Sequence, residues 1–350
     1  MATNTYMLEY DAFIRSIKQN KNVSHAVLLG AGASISSQIQ SAADCIWEWK
    51  RDIYSSNNPN TTLIVSNFRS EAVRRSIQAW LDAQGEYPLM GSSDEYSFYA
   101  EKAYPIEADR QKYFEQLAYN KAPYIGYKLL CMLNNAGIVK SVWTTNFDGL
   151  TERAAHQMNI TPICITLDDP ERIFRNENSH ELLYIALHGD YKYSKLKNTN
   201  QELDTQNNIF KDALKRYFVD KNLIVMGYSG RDKSLMNALK EAFSQPGSGR
   251  LYWCGFGDDI CSEVKDLIDI ARVNNRIAYF ISTDGFDKTI LQLSRACFED
   301  DIVKQEEIKK LIKSTIKKDE TKTSFRIESP RDDKFVKSNL HPVAFPKDVY

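Results

Sequence analysis

Short apolar runs alternate with segments of helical periodicity along most of this chain. The first apolar run covers residues 26–29 and ends in a Gly-Ala-Gly turn. Later apolar runs predict strands at 138–144, 160–165, 182–187, 223–226, 251–254 and 277–281. Segments with helical spacing separate them and predict helices at 149–158, 206–220, 231–243, 258–273 and 286–297. This alternation indicates an α/β fold, a Rossmann-like, mostly parallel sheet with helices on both faces.

The first 137 residues carry mainly helical patterns. Residues 5–21 predict an amphipathic helix that includes Met7, and a second helix follows the glycine turn through Trp47 and Trp49. Polar loops flank a stretch of helical spacing between about 57 and 110, which predicts a helical insertion. Residues 110–136 predict one long helix with Gly137 as its C-cap.

The domain organisation follows from a change in composition near residue 298. Residues 1–298 are expected to form one domain with the insertion at about 57–110 inside it. Residues 299–350 are expected to be a charged helix and a linker with three prolines. We expect that this tail could lead to a C-terminal domain missing from this chain.

Composition excludes several classes of function. The net charge of the 350 residues is -1, so no global field favours nucleic acid or an acidic membrane. No apolar run approaches the about 20 residues that span a bilayer, and the N-terminus lacks a signal-peptide pattern, so we expect a cytoplasmic protein. The six cysteines form no CxxC pair, so no metal site is predicted.

The first candidate site residues follow the first strand, where ligands of such sheets bind. Residues 30–34 read Gly-Ala-Gly-Ala-Ser. Two glycines permit a tight turn close to a phosphate, with the amides of the next helix facing the anion. Ile35 occupies the third glycine position of the dinucleotide fingerprint, which is therefore incomplete. The alternative is a tight turn without a ligand.

Two further polar motifs follow predicted strands. Residues 144–148 read Thr-Thr-Asn-Phe-Asp, in which Asn146 offers a donor and an acceptor and Asp148 offers acceptors. The alternative for this motif is an N-cap of the next helix. The third motif, His188 and Gly189, directly follows the apolar run at 182–187. A lone histidine is more often structural, but the following glycine leaves one face open, and imidazole titrates near neutral pH.

A fourth motif, Gly-Tyr-Ser-Gly-Arg-Asp, occupies residues 227–232. It is not the nucleophile turn of a serine hydrolase, because Arg231 replaces the last glycine of GxSxG. Glycine and serine at a strand end suit contact with a ribose or a phosphate. The alternative is an N-cap by Ser229 or Asp232.

Taken together and in this order, the four motifs resemble those of the Sir2 family over residues 20–295. They are similar to its phosphate turn, its Thr/Gln-Asn-Ile-Asp motif, its catalytic His-Gly and its Gly-Thr-Ser. More narrowly, the chain looks like the zinc-less Sir2-like NADase domains of bacterial antiphage defence proteins. The Gly-Tyr-Ser-x-x-Asp form, the aromatic run at 251–253 and the Gly-Phe-Asp at 285–287 fit that branch.

The resemblance implies an NAD hydrolase that releases nicotinamide and ADP-ribose. It implies that Asn146 orients the ribose or the water, that His188 accepts a proton, and that Asp148 binds the nicotinamide carboxamide. The catalytic residues would be Asn146 and His188. The residues that bind NAD would be Gly30, Ala31, Gly32, Ser34, Thr145, Asp148, Gly227 and Ser229.

Departures from the family pattern narrow this expectation. The four-cysteine zinc module is absent, and residues 36–40 read Ser-Ser-Gln-Ile-Gln where deacylases have Gly-Ile-Pro-x-Phe-Arg. We therefore expect no acyl-peptide cleft. The resemblance also implies a homo-oligomer or filament, a sensor domain or phage-derived trigger, and defence by NAD depletion.

Three alternatives stay open at this point. They are a nucleotide-sensing binding module without catalysis, an NAD-dependent protein deacylase and, disfavoured by the incomplete fingerprint, a dehydrogenase. The sequence does not distinguish NAD from NADP as the substrate.

Overall fold

The computed structural model describes residues 5–61, 67, 69–92, 94–166, 170–175, 180–187 and 208–322. Within these residues seven parallel strands form one sheet in the order β3-β4-β2-β1-β5-β6-β7. The strands are β1 (His25–Leu29), β2 (Val139–Thr144), β3 (Thr161–Thr166), β4 (Glu181–Ala186), β5 (Asn222–Met226), β6 (Leu251–Phe256) and β7 (Ala278–Thr283).

Helices connect and flank these strands. The α-helices before β2 are α1 (Tyr10–Gln19), α2 (Ala42–Asn57), α3 (Glu71–Gln84), α4 (Glu95–Ala103), α5 (Glu107–Ala118) and α6 (Ile125–Asn135). Those after β2 are α7 (Leu150–Gln157), α8 (Asn208–Tyr217), α9 (Lys233–Phe243), α10 (Ser262–Val273), α11 (Phe286–Cys297) and α12 (Ile302–Lys322). Short 3-10 helices occur at Ala31–Ser37, Pro59–Thr61 and Pro170–Phe174.

Alternate residues of the central strand supply two separate cores. Val27 and Leu29 of β1 belong to the core beneath α1, α6, α7 and α11, whereas Ala26 and Leu28 belong to the core beneath α8, α9 and α10. All four side chains are at most 2% exposed. A continuous apolar run predicts a strand that is buried on both faces, because the side chains of a strand alternate between the two faces of the sheet. The predicted α/β fold is therefore confirmed.

The predicted strands after residue 137 are all present, each within two residues of its expected bounds. Two helix predictions were wrong. The expected long helix at 110–136 is two helices, α5 and α6, because Asn120 takes a left-handed conformation with φ 54° and Pro123 disfavours helical geometry just before it. Met7 lies outside α1, in an extended segment that bridges to Phe280 at the edge of β7.

The expected insertion at about 57–110 is helical, and its helices share one core with α2 and α5, which extend beyond those bounds. Helices α2 to α5 pack around Trp49, which is fully buried, and α2 contacts both α3 and α4. We call this group, residues 42–118, the helical module. Gly137 was predicted as the C-cap of the helix before β2, but Ala136 is the C-cap of α6 and Gly137 follows it in the left-handed conformation, with φ 73°. The amides of Gly137 and Ile138 bond to the carbonyls of Asn134 and Leu133 and end the helix.

Candidate functional site

A cavity of about 650 Å³ lies where the carboxyl ends of β1, β2 and β5 face the helical module. Its sheet side is formed by the turns that follow these three strands, and α2, α4 and α5 form the opposite wall. Ligand sites typically have volumes of about 300–1,000 Å³. The cavity is thus large enough for a nucleotide, and it lies at the sheet edge where α/β proteins bind ligands.

The turns after β1 and β5 pack backbone against backbone. The amide of Gly30 donates to Met226 O at 3.0 Å, and the amide of Gly32 donates to Gly227 O at 2.8 Å. A Cβ on Gly30 would lie 2.5 Å from Gly227 O, and a Cβ on Gly227 would lie 2.3 Å from Ala33 N. The absence of a side chain at these glycines therefore allows the turn after β1 and the turn after β5 to be in direct contact.

A buried hydrogen-bonded cluster joins the β1 turn, the end of β2 and α6. The Ser34 hydroxyl donates to Asp148 Oδ2 at 2.5 Å and lies 2.8 Å from the Tyr127 hydroxyl. Asn146 Nδ2 donates to Ser34 Oγ and to Gly30 O, each at 3.0 Å. Each of the four side chains in this cluster is at least nine-tenths buried.

The hydrogen-bonding capacity of Ser34 fixes the direction of these bonds. A hydroxyl has one proton and two lone pairs, and the proton of Ser34 goes to the Asp148 carboxylate. Burial raises the pKa of Tyr127, and the nearby Asp148 charge raises it further, so the phenol keeps its proton and donates to Ser34. Because Asn146 gives both Nδ2 hydrogens to the protein and lines the cavity, its carboxamide oxygen is the side-chain atom that could accept a hydrogen bond from a ligand.

The N-cap alternative holds for neither Asn146 nor Asp148, because Gly149 is the N-cap residue of α7 and no side chain caps this helix. Asp148 Oδ1 accepts from the amide of Leu150 at 2.9 Å, at the start of α7, while Oδ2 accepts from Ser34. Both carboxylate oxygens of Asp148 thus have partners within the protein, although Asp148 lines the cavity. The backbone amide of Asn146 donates to Thr144 Oγ1, and its side-chain nitrogen donates to Gly30 O and Ser34 Oγ.

The β5 turn supplies the opposite rim of the cavity. Ser229 is exposed and lines the cavity, whereas Asp232 accepts from Leu235 N at 3.1 Å and caps α9. The predicted capping alternative therefore holds for Asp232. Lys233, at the start of α9, lies 3.2 Å from Asp94 of the helical module, so an exposed ion pair joins the two rims.

The wall formed by the helical module carries apolar and aromatic side chains beside a few polar ones. Phe147, between Asn146 and Asp148 in sequence, packs its ring 4.9 Å from the ring of Phe114. Ile46 and Tyr96 also line this wall. Burial raises the pKa of Cys45, another lining residue, to about 12, so its thiol stays protonated near neutral pH.

The structure brings most of the predicted site residues together. Eight line the cavity: Ala31, Gly32, Ser34, Thr145, Asn146, Asp148, Gly227 and Ser229. Gly30 lies behind them, where it bonds to β5. His188 lies outside the described residues. The described chain before it ends at Leu187, whose amide donates to Thr144 O at 2.8 Å beside the end of β2.

Sequence reasoning missed Tyr127 and the cavity wall of the helical module. A tyrosine in an apolar helix has the pattern of an ordinary core residue, and its hydroxyl partner is 93 positions away in sequence. The apolar spacing of the insertion predicted helices but not the surface against which they pack.

Two kinds of feature are absent from the part of the chain that the structure describes. No group of three or more histidine, cysteine, aspartate or glutamate side chains there could hold a metal ion. None of the helices described is both long and apolar enough to cross a bilayer.

Comparison with known families identifies one relationship. Residues 140–275 match the family model described as the SIR2-like domain. The match runs from β2 to the end of α10 and includes the Asn146 motif, His188 and the Gly227 turn. Domains of this kind are in general NAD-dependent enzymes, so the match supports a relationship to the Sir2 family and an NAD-related function. No curated protein matched the chain.

Proposed function

We propose that this chain hydrolyses NAD at the bond between nicotinamide and ribose and releases nicotinamide and ADP-ribose. The observation that carries the proposal is the buried Ser34–Asn146–Asp148 cluster in the wall of the 650 Å³ cavity. It leaves one carboxamide oxygen for a ligand, beside glycine turns that allow close backbone approach. The SIR2-like match over residues 140–275 supports NAD as the substrate.

The reaction needs little acid catalysis. The electron pair of the C1′–N bond moves to the nicotinamide ring, which is cationic in NAD and leaves as a neutral molecule. An oxocarbenium-like centre develops at C1′, as in glycoside hydrolysis, and the oxygen of water bonds to it and loses a proton. The protein must orient the ribose, stabilise the positive centre and accept that proton.

Each of these tasks has a candidate residue. The Asn146 carboxamide oxygen would orient the ribose or the attacking water. His188 would accept the proton from a ribose hydroxyl or from water, since its imidazole is the side chain suited to proton transfer near neutral pH. Ala31, Gly32 and Ser34 would border the pyrophosphate, and Ser229 would contact a ribose. Asp148, whose oxygens serve Ser34 and Leu150, would support Asn146 and contact the nicotinamide carboxamide.

Release of nicotinamide from NAD tests the proposal. We expect Asn146→Ala and His188→Ala each to lower kcat by about 100-fold or more, the loss typical for removal of a group that acts on the transition state. Circular dichroism and urea unfolding would show that the fold is retained.

Matched controls are available in the same chain. His156→Ala removes an exposed histidine from α7, and Asn237→Ala removes an exposed asparagine from α9. Both controls should keep wild-type turnover. Turnover in Asn146→Ala and His188→Ala that equals that of the controls would refute the assignment.

A regulated defence role belongs to the same proposal. A cytoplasmic enzyme that hydrolyses NAD without control would deplete the cell, so we propose that activity needs a trigger. The resemblance to antiphage NADases suggests a phage-derived trigger or a sensor domain, and assembly into a homo-oligomer or filament. Turnover assays should therefore include lysate from phage-infected cells. A binding module without catalysis would bind NAD but release no nicotinamide in that lysate either.

A further inference from the structure

Tyr127 has a position in the site that its sequence pattern does not indicate. It lies on α6, is 1% exposed, and its hydroxyl is 2.8 Å from Ser34 Oγ. Its hydroxyl therefore has a hydrogen-bond partner in the buried cluster, away from solvent. A buried phenol normally requires a hydrogen-bond partner, and this one donates into the group that orients Asn146.

Helix α11 fixes the location of Tyr127. Its ring packs edge-on against Phe286, with ring centres 5.1 Å apart. The amide of the preceding residue, Gly126, donates to Asp287 Oδ1 at 2.7 Å, and a Cβ on Gly126 would lie 2.6 Å from that oxygen. The Tyr127 hydroxyl is therefore presented to Ser34 by a rigid contact between two helices.

The hydroxyl of Tyr127 completes the hydrogen bonding of Ser34. Ser34 donates its proton to Asp148 and accepts from Asn146 Nδ2, which leaves one lone pair. Tyr127 occupies that lone pair as a donor. With all three positions of Ser34 filled, one orientation of its hydroxyl is favoured, and Asn146 Nδ2 has a well-defined second acceptor besides Gly30 O.

From this arrangement we infer that Tyr127 is a positioning residue that acts through Ser34 to hold the carboxamide oxygen of Asn146 towards the cavity. The inference rests on the proposed function, in which that oxygen orients the ribose or the water. Tyr127 itself need not touch the substrate. Its removal should therefore change the transition state more than the binding of NAD.

Tyr127→Phe removes only the hydroxyl and tests the inference. We expect kcat for nicotinamide release to fall about tenfold, the factor that one hydrogen bond supplies, with KM for NAD unchanged within about twofold. Tyr99→Phe is the matched control, because the Tyr99 hydroxyl is buried in the helical module and has no hydrogen-bond partner among the described residues. The control should keep the wild-type kcat.

A second readout does not depend on turnover. The side-chain amide signals of Asn146 can be assigned in ¹⁵N-asparagine-labelled protein by their absence in Asn146→Ala. We expect Tyr127→Phe to shift these signals and speed their hydrogen exchange, and Tyr99→Phe to leave them unchanged.

The outcomes separate the inference from the proposed function. Unchanged Asn146 signals in Tyr127→Phe, or a kcat equal to that of Tyr99→Phe, would overturn the inference. If the triggered wild-type protein releases no nicotinamide, the proposed function fails, and the amide signals alone decide whether Tyr127 positions Asn146.

Discussion

Polar side chains that follow parallel strands must share one edge of the sheet, and Ser34 and Asn146 do meet there. The amides of Gly30 and Gly32 donate to the carbonyls of Met226, at the end of β5, and of Gly227, which follows it. The two glycines predicted a tight turn but not this partner, because no local pattern shows which turn lies opposite.

Because the two glycine turns are in contact, we expect alanine substitution to destabilise the protein more at Gly227 than at Gly257. Gly227 and Gly257 both have positive φ, 66° and 72°. A Cβ on Gly227 would lie 2.3 Å from Ala33 N, whereas none of the structure lies within 4 Å of one on Gly257. Gly257→Ala should lower the free energy of unfolding by about 1 kcal/mol, from backbone strain alone. Gly227→Ala should lower it by about 3 kcal/mol or more, because backbone must also move.

Urea unfolding of the two variants measures this difference, with the wild-type protein as the reference. Similar losses in both variants would mean that the β1 and β5 turns are not in the close contact described. Because Gly227 lines the cavity, its variant should also bind NAD less tightly, but the stability comparison does not depend on a ligand.

At the scale of elements, the periodicity of the sequence predicted which helices and strands exist. It predicted less well where they begin and end and what they pack against. The strands described after residue 137 were all predicted, because each is an apolar run between turn signals. The α5–α6 break was missed because Asn120 and Pro123 interrupt a pattern that continues on both sides. The partner of the insertion could not be predicted, since an apolar helix face does not identify what covers it.

Within the helical module, a buried lysine joins three helices. Lys50 of α2 is 0% exposed, forms an ion pair with Glu95 of α4 and donates to Gln78 Oε1 of α3 at 2.7 Å. Lys50→Met should lower the free energy of unfolding by about 3–5 kcal/mol, because Glu95 would keep a buried charge without its cation. Adding Glu95→Gln should recover part of the loss, since that charge is then gone.

An exposed ion pair provides the control for Lys50. Lys288 lies 3.3 Å from Asp284, and both side chains are more than 70% exposed. Lys288→Met should change the free energy of unfolding by less than about 1 kcal/mol. Urea unfolding that gives equal losses for Lys50→Met and Lys288→Met would contradict a structural role for the buried pair.

For the whole molecule, the order of the strands explains why the cavity lies where it does. β1 is central, the chain first builds β2, β3 and β4 on one side of it, and it then crosses to β5, β6 and β7 on the other. Loops on the two sides of such a reversal diverge and leave a crevice at the carboxyl ends. Alternating elements predicted the class of the sheet but not this order, because neighbouring strands are paired by contacts distant in sequence.

A ligand in this crevice should therefore protect segments that are far apart in the chain. We expect saturating ADP-ribose, the proposed product, to slow amide hydrogen exchange at residues 30–41, 227–235 and 94–118 together, because each segment lines the cavity. Peptides from α10, which does not line it, serve as the internal control and should change least. Mass spectrometry resolves these peptides.

Protection of both glycine turns without protection of 94–118 would mean that the helical module is not a wall of the ligand site. The aromatic contact between Phe147 and Phe114 would then be ordinary core packing. Protection of all three segments would instead mean that the module, which no sequence pattern had linked to the sheet, closes the site around its ligand.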